Sequence, residues 1–84
     1  MLGNDQMTPH VAFGRALRSL RLAVGLSQEQ LGLESGVQRN FISLIETGQY
    51  QPTIGTIFKL AYALNIKPSK LLAEAEKLID CANT

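Results

Sequence analysis

Residues 26–48 read LSQEQLGLESGVQRNFISLIETG, and this stretch decides the fold. Ser27 and Gln30 have the spacing of a capping box, in which side chain and backbone at a helix start satisfy each other. Leu26 and Leu31 flank that start at the spacing of a hydrophobic staple. The helix that begins there is short, because Gly36 arrives nine residues after the cap. Residues 38–46 form a second apolar-periodic run, ended by Thr47-Gly48. The expectation is a helix over 28–34, a turn at Ser35-Gly36-Val37, and a helix over 38–46.

The same punctuation extends outward in both directions. Upstream, Thr8 is a candidate cap, and Pro9 suits a first helical position because its missing amide hydrogen would be unpaired there anyway. Phe13, Leu17, Leu20 and Val24 then share one stripe, and Gly25 stops that helix. Downstream, Pro52-Thr53 opens a fourth helix, with Ile54, Ile57, Phe58, Ala61 and Leu64 expected on its inner face. Asn65 ends it. Pro68 starts a fifth, with Leu71, Leu72, Ala75, Leu78 and Ile79 on one face. No segment alternates apolar and polar residues as a half-buried strand does. The fold class expected is all-α, a compact five-helix domain. Residues 1–7 read as a loose arm, 8–80 as the domain and 81–84 as a tail.

Bulk properties narrow the field. A chain of 84 residues fits one small domain, whose core is marginal without tight packing or a partner. Hydrophobic residues make up 45%, too many for a disordered tail. No apolar run approaches the roughly 18 residues of a membrane span, and MLGNDQMTPH lacks the pattern of a secretory signal. The lone Cys81 cannot form an internal disulfide and suits a reducing compartment, so a cytoplasmic location is expected. Net charge is +1, which does not by itself announce nucleic acid. Residues 1–70 hold seven of the eight Lys and Arg but four of the seven acids, so the body is mildly basic and the tail mildly acidic.

Two short helices joined by a glycine-containing turn are a helix-turn-helix arrangement. The first helix braces against the phosphate backbone, and the second enters the major groove, about 12 Å wide. Spacing alone leaves an ordinary five-helix bundle open. The wheel of the second of these helices argues further. Ile42, Ile45 and Glu46 share one side; Arg39, Asn40, Ser43, Leu44 and Thr47 share the other. Arg and Asn have the forked donors and acceptors that match guanine and adenine edges. A merely solvated face more often carries Glu and Lys.

In combination, Leu26-Ser27-Gln28, Leu31, Gly36-Val37, Ile42-Ser43, Ile45-Glu46, Gly48, Pro52, Ala61 and Ala63-Leu64 resemble the Cro/repressor class of helix-turn-helix proteins. This is the lambda-repressor-like, or xenobiotic-response-element, family. The resemblance spans about residues 10–73, and several restriction–modification controllers and phage repressors have a similar length and ending. It implies that Gln38, Arg39, Asn40 and Ser43 stand at base-reading positions, with Leu44 sometimes joining them. It implies phosphate contact at Gln28 and in the segment that meets the backbone again. There Thr47, Gln49, Gln51 and Thr53 are the candidates, Thr53 standing where helix-start amides hold phosphate. It also implies an Arg21–Glu46 pair. The residues suggest the same pair: Glu46 leans coreward, and Arg21 lies at the edge of the first helix's apolar stripe while Arg15 and Arg18 point away.

Some positions depart from the family pattern. The loop after Gly48 usually carries Lys or Arg but here reads Gln49-Tyr50-Gln51. Gly32 replaces a common alanine, and Leu33 stands where a polar residue is usual. Val37 and Gln38 are poor caps. His10 has no companion at metal-ligand spacing, and no nucleophile–base set or glycine-rich phosphate loop is present. No catalysis, metal or cofactor is expected.

The resulting expectation is a sequence-specific transcription regulator that binds double-stranded DNA as a homodimer on a near-palindromic operator. The dimer contact is expected at Ala75, Leu78 and Ile79, where the fifth helix's stripe runs past the core. Another class remains open: the antitoxin half of a toxin–antitoxin pair, whose main partner is a protein. The chain stops soon after the fifth helix, which favours the regulator.

Overall fold

The computed structural model describes residues 7–82. Five helices follow in order: α1 (Pro9–Ala23), α2 (Gln28–Ser35), α3 (Arg39–Glu46), α4 (Ile54–Ala63) and α5 (Pro68–Ala82). No strand occurs among the described residues, so the fold class is all-α, as expected. Residues 1–6 of the expected arm lie outside the described residues, while Met7 packs against the core.

The helix ends follow local chemistry. Ser27 Oγ accepts from the Gln30 amide at 3.0 Å, and Gln30 Oε1 accepts from the Ser27 amide at 2.8 Å, so the capping box is complete. Thr53 Oγ1 accepts from the Thr56 amide at 3.2 Å and caps α4. Thr8 precedes α1 in an extended conformation, but its side chain makes no cap bond, against expectation. Gly36, at φ +77°, closes α2 in the left-handed region that glycine enters without a Cβ penalty.

Every helix contributes to one core. Leu17 of α1, Leu31 of α2, Ile42 and Ile45 of α3, Leu60 of α4 and Leu71 of α5 are its largest fully buried side chains. The long helices α1 and α5 lie against each other in the most extensive helix contact. α1 also crosses α3, and α2 packs on both α3 and α4.

Four expectations about facing need correction. Val24 is exposed, because α1 has already ended at Ala23. Ile54 and Phe58 are exposed rather than inward; α4 is apolar nearly all round, so periodicity could not choose its buried side. Leu72 is exposed while Leu71 alone is fully buried. The stripe Ala75, Leu78 and Ile79 does not project past the core. Ala75 is 6% exposed and belongs to the core, and Leu78 and Ile79 pack half-buried against it. The physical reason is that α5 lies along the 15-residue α1 in the most extensive helix contact, so its apolar side is turned toward the core over more of its length than the sequence alone indicates.

Candidate nucleic-acid interface

The turn that sets the two short helices relative to each other is closely packed. The Gly36 amide donates to the Gly32 carbonyl at 2.9 Å, and the Val37 amide donates to Ser35 Oγ at 3.2 Å. A Cβ on Gly32 would stand 2.9 Å from the Val37 carbonyl oxygen, which accounts for glycine here despite its cost inside a helix. Gly14, in mid-α1, is tighter still. A Cβ there would collide with the Ile45 carbonyl oxygen, so α1 and α3 cross nearly backbone to backbone.

α3 is held from within by a buried ion pair, and Arg18, expected to point away, brings its exposed Nη1 to 4.0 Å from Glu46 Oε1 as a looser second partner. Arg21 Nε donates to Glu46 Oε2 at 2.7 Å and Nη2 to Oε1 at 2.9 Å, a two-pronged contact with both residues buried. Arg21 Nη1 also donates to the Leu26 carbonyl at 2.8 Å, and Gln28 Nε2 donates to Glu46 Oε1 at 3.0 Å. The network joins α1, the loop after it, α2 and α3. Its hydrogen bonds to Glu46 push the Arg21 guanidinium above its ordinary range, outweighing the opposing desolvation.

With Ile42, Ile45 and Glu46 buried, the other side of α3 is left open. Gln38, Arg39, Asn40, Leu44 and Thr47 are exposed and Ser43 is half-buried. Arg39, Asn40, Ser43 and Leu44 thus lie on the side of α3 away from its buried residues, and Gln38 stands exposed at its N-cap. Gln49, Gln51 and Thr53 follow, also exposed, on the segment leading into α4.

The phosphate-contact candidates are arranged differently. Gln28 directs its amide at Glu46. Thr47 Oγ1 donates to the Ser43 carbonyl at 2.9 Å and accepts from Gln49 Nε2 at 3.0 Å. Thr53 Oγ1 is engaged as a cap. Three of these side chains therefore already donate inside the protein, and Thr53 caps the Thr56 amide in the first turn of α4.

The sequence reading missed two features here. Phe41 and Tyr50 stack with ring centroids 5.4 Å apart, joining α3 to the following loop. Gly14 carried a signal that went unread, since an isolated glycine inside a helical pattern usually has a packing reason. The aromatic pair had only a faint one, two rings nine residues apart across the reversal at Gly48.

Residues 17–71, more than half of the chain, match the helix-turn-helix family HTH_3. The chain belongs to this helix-turn-helix family. Control protein C.BamHI of Bacillus amyloliquefaciens is 38% identical over 61 residues, covering 71% of this chain and 75% of that protein. The restriction–modification controller protein C.AhdI of Aeromonas hydrophila superposes with a TM-score of 0.71 at 48% identity, covering 73% of this chain and 92% of that one. A longer relative, the uncharacterized HTH-type transcriptional regulator y4dL of Sinorhizobium fredii, is 32% identical over 80 residues. That match takes in 90% of this helix-turn-helix chain but spans only 40% of the relative's length. No helix among the described residues is long and apolar enough to cross a membrane.

Proposed function

We propose that this protein is a sequence-specific transcription regulator that lays α3 in the major groove of double-stranded DNA and binds a near-palindromic operator as a homodimer. The observation that carries the reading is the division of α3: Ile42, Ile45 and Glu46 inward, Arg39, Asn40 and Leu44 outward, with Gln38 exposed at its start. Arg39 is the one cation of that outward face and donates in parallel to guanine O6 and N7. Asn40 and Ser43 meet neighbouring bases, and Leu44 meets a thymine methyl. The amides at the start of α4, with Gln51 beside them, meet the phosphate backbone. Gln28, Thr47 and Gln49 join through the hydrogen-bonding capacity that their internal bonds leave over.

The homodimer uses a face other than the one the sequence pointed to. With Ala75 buried and Leu78 and Ile79 against the core, the free apolar stripe is on α4: Ile54, Phe58 and Tyr62, all exposed at i, i+4, i+8 spacing. That stripe is symmetric about Phe58. Antiparallel packing on a two-fold axis sets Phe58 against its own copy and Ile54 against the partner's Tyr62, and contiguous exposed apolar surface is the mark of an interface. Such a dimer reads two half-sites about 34–36 Å apart, one turn of DNA.

The test is selection of bound duplexes from a random DNA pool with the full chain. Enrichment of an inverted repeat with half-sites one turn apart is expected. Enrichment of no sequence would overturn the proposal.

A further inference from the structure

Phe41 and Tyr50 come from different elements, α3 and the loop after it, yet their rings stack with planes only 26° apart. Neither belongs to the buried core; they are 42% and 39% exposed. Phe41 also stands three residues before the exposed Leu44, which makes the two neighbours on the helix surface. Together the three side chains form a carbon-rich margin along one edge of the outward face of α3. Stacking holds both rings in place before any ligand arrives, so binding does not have to order them.

We propose that this margin is a further specificity-determining element: the stacked rings of Phe41 and Tyr50, beside Leu44, recognise thymine by its C5-methyl group at the edge of each half-site. The inference rests on the DNA-binding reading above. Among the base edges displayed in the major groove, the thymine methyl is the one apolar feature, and the rest are hydrogen-bond donors and acceptors that ring carbon cannot satisfy. A phosphate oxygen could engage only the Tyr50 hydroxyl, so a backbone contact would leave the stacked ring faces of Phe41 and Tyr50 without a partner.

Replacing single thymines of the selected operator by deoxyuridine removes the methyl and leaves the hydrogen-bonding edge intact. For the wild-type chain, at one thymine or more in each half-site, this change is expected to weaken binding about fourfold, the value of one buried methyl. Phe41→Ala and Tyr50→Ala should bind the thymine and deoxyuridine duplexes equally at that position, with thermal unfolding close to wild type because both side chains lie outside the core. Tyr50→Phe, which keeps the ring, should retain the discrimination. The proposal falls if the deoxyuridine effect is absent, if it is the same in the alanine variants, if Tyr50→Phe loses it, or if the selected half-sites contain no thymine. Failure of the wild type to select any sequence would instead remove the DNA-binding reading beneath it.

Discussion

Arg39 is exposed, near the start of α3, and is the one cation on its outward face. A guanidinium in that place could read a base or merely touch phosphate, and the two roles separate in binding data. Loss of a base contact costs about 1–3 kcal/mol on the operator and relaxes preference at one position of each half-site. Loss of a phosphate contact weakens all sequences alike and lowers the salt slope by about one. Arg39→Ala, titrated against the selected operator, its single-base variants and random DNA across salt, should show the first pattern. The buried pair behind it makes a second expectation. Glu46→Ala leaves the Arg21 guanidinium buried without its carboxylate, a change that typically costs about 3–5 kcal/mol. A domain of this size is stable by an amount of the same order, so unfolding well below the wild-type temperature is expected. Unchanged thermal stability of Glu46→Ala would show that the pair contributes nothing. The folded-state shift of Arg21 is upward, so its contribution is complete below the ordinary guanidinium range and is lost only above it. Arg21 therefore adds no slope to stability between about pH 5 and 10.

At the scale of the helices, the crossing of α1 over α3 is the tightest contact. Gly14→Ala would gain helix propensity of about 1 kcal/mol, but its Cβ meets the Ile45 carbonyl, part of a backbone that cannot swing aside as a side chain would. Overpacking costs about 1–3 kcal/mol, more against a rigid neighbour, so the clash outweighs the gain. Thermal unfolding of Gly14→Ala should fall by several degrees, and a rise would mean that the helices separate freely. This crossing also marks where legibility ended. Helix starts and stops were legible because their causes are local: Ser27 with Gln30, Gly36 at positive φ, Thr53 over Thr56. The outward face of α3 was legible because its three buried residues fall cleanly on one side. The faces of α4 and α5 were not. α4 is apolar in most directions, and whether the end of α5 is free depends on how far α1 reaches alongside it. Those are properties of a neighbour, not of the helix's own sequence. For the same reason the bond from Gln28 to Glu46 was not legible, since it depends on where α3 lies.

For the molecule as a whole, the described residues fill 42 × 22 × 22 Å and leave Ile54, Phe58 and Tyr62 in a row on one flank. A glutamate at the centre of that row would set two like charges against each other across a two-fold axis. Phe58→Glu should therefore convert a dimer to a monomer in sedimentation at micromolar concentration and weaken operator binding, while each monomer keeps its helical content. A wild-type chain that sediments as a monomer with and without DNA would remove the dimer.

The network around Glu46 has a consequence for motion. Eight residues are too few to hold a helix in water unaided, so the order of α3 is borrowed from the elements that Arg21, Gln28 and the Gly14 crossing bind to it. A segment stabilised in this way does not fray separately; it opens when its lenders open. Amide hydrogens of Ile45 and Glu46 should then exchange with solvent no faster than those in the middle of α1, at the rate of global unfolding. On the proposed reading, the face of α3 that meets DNA would then need no ordering on contact.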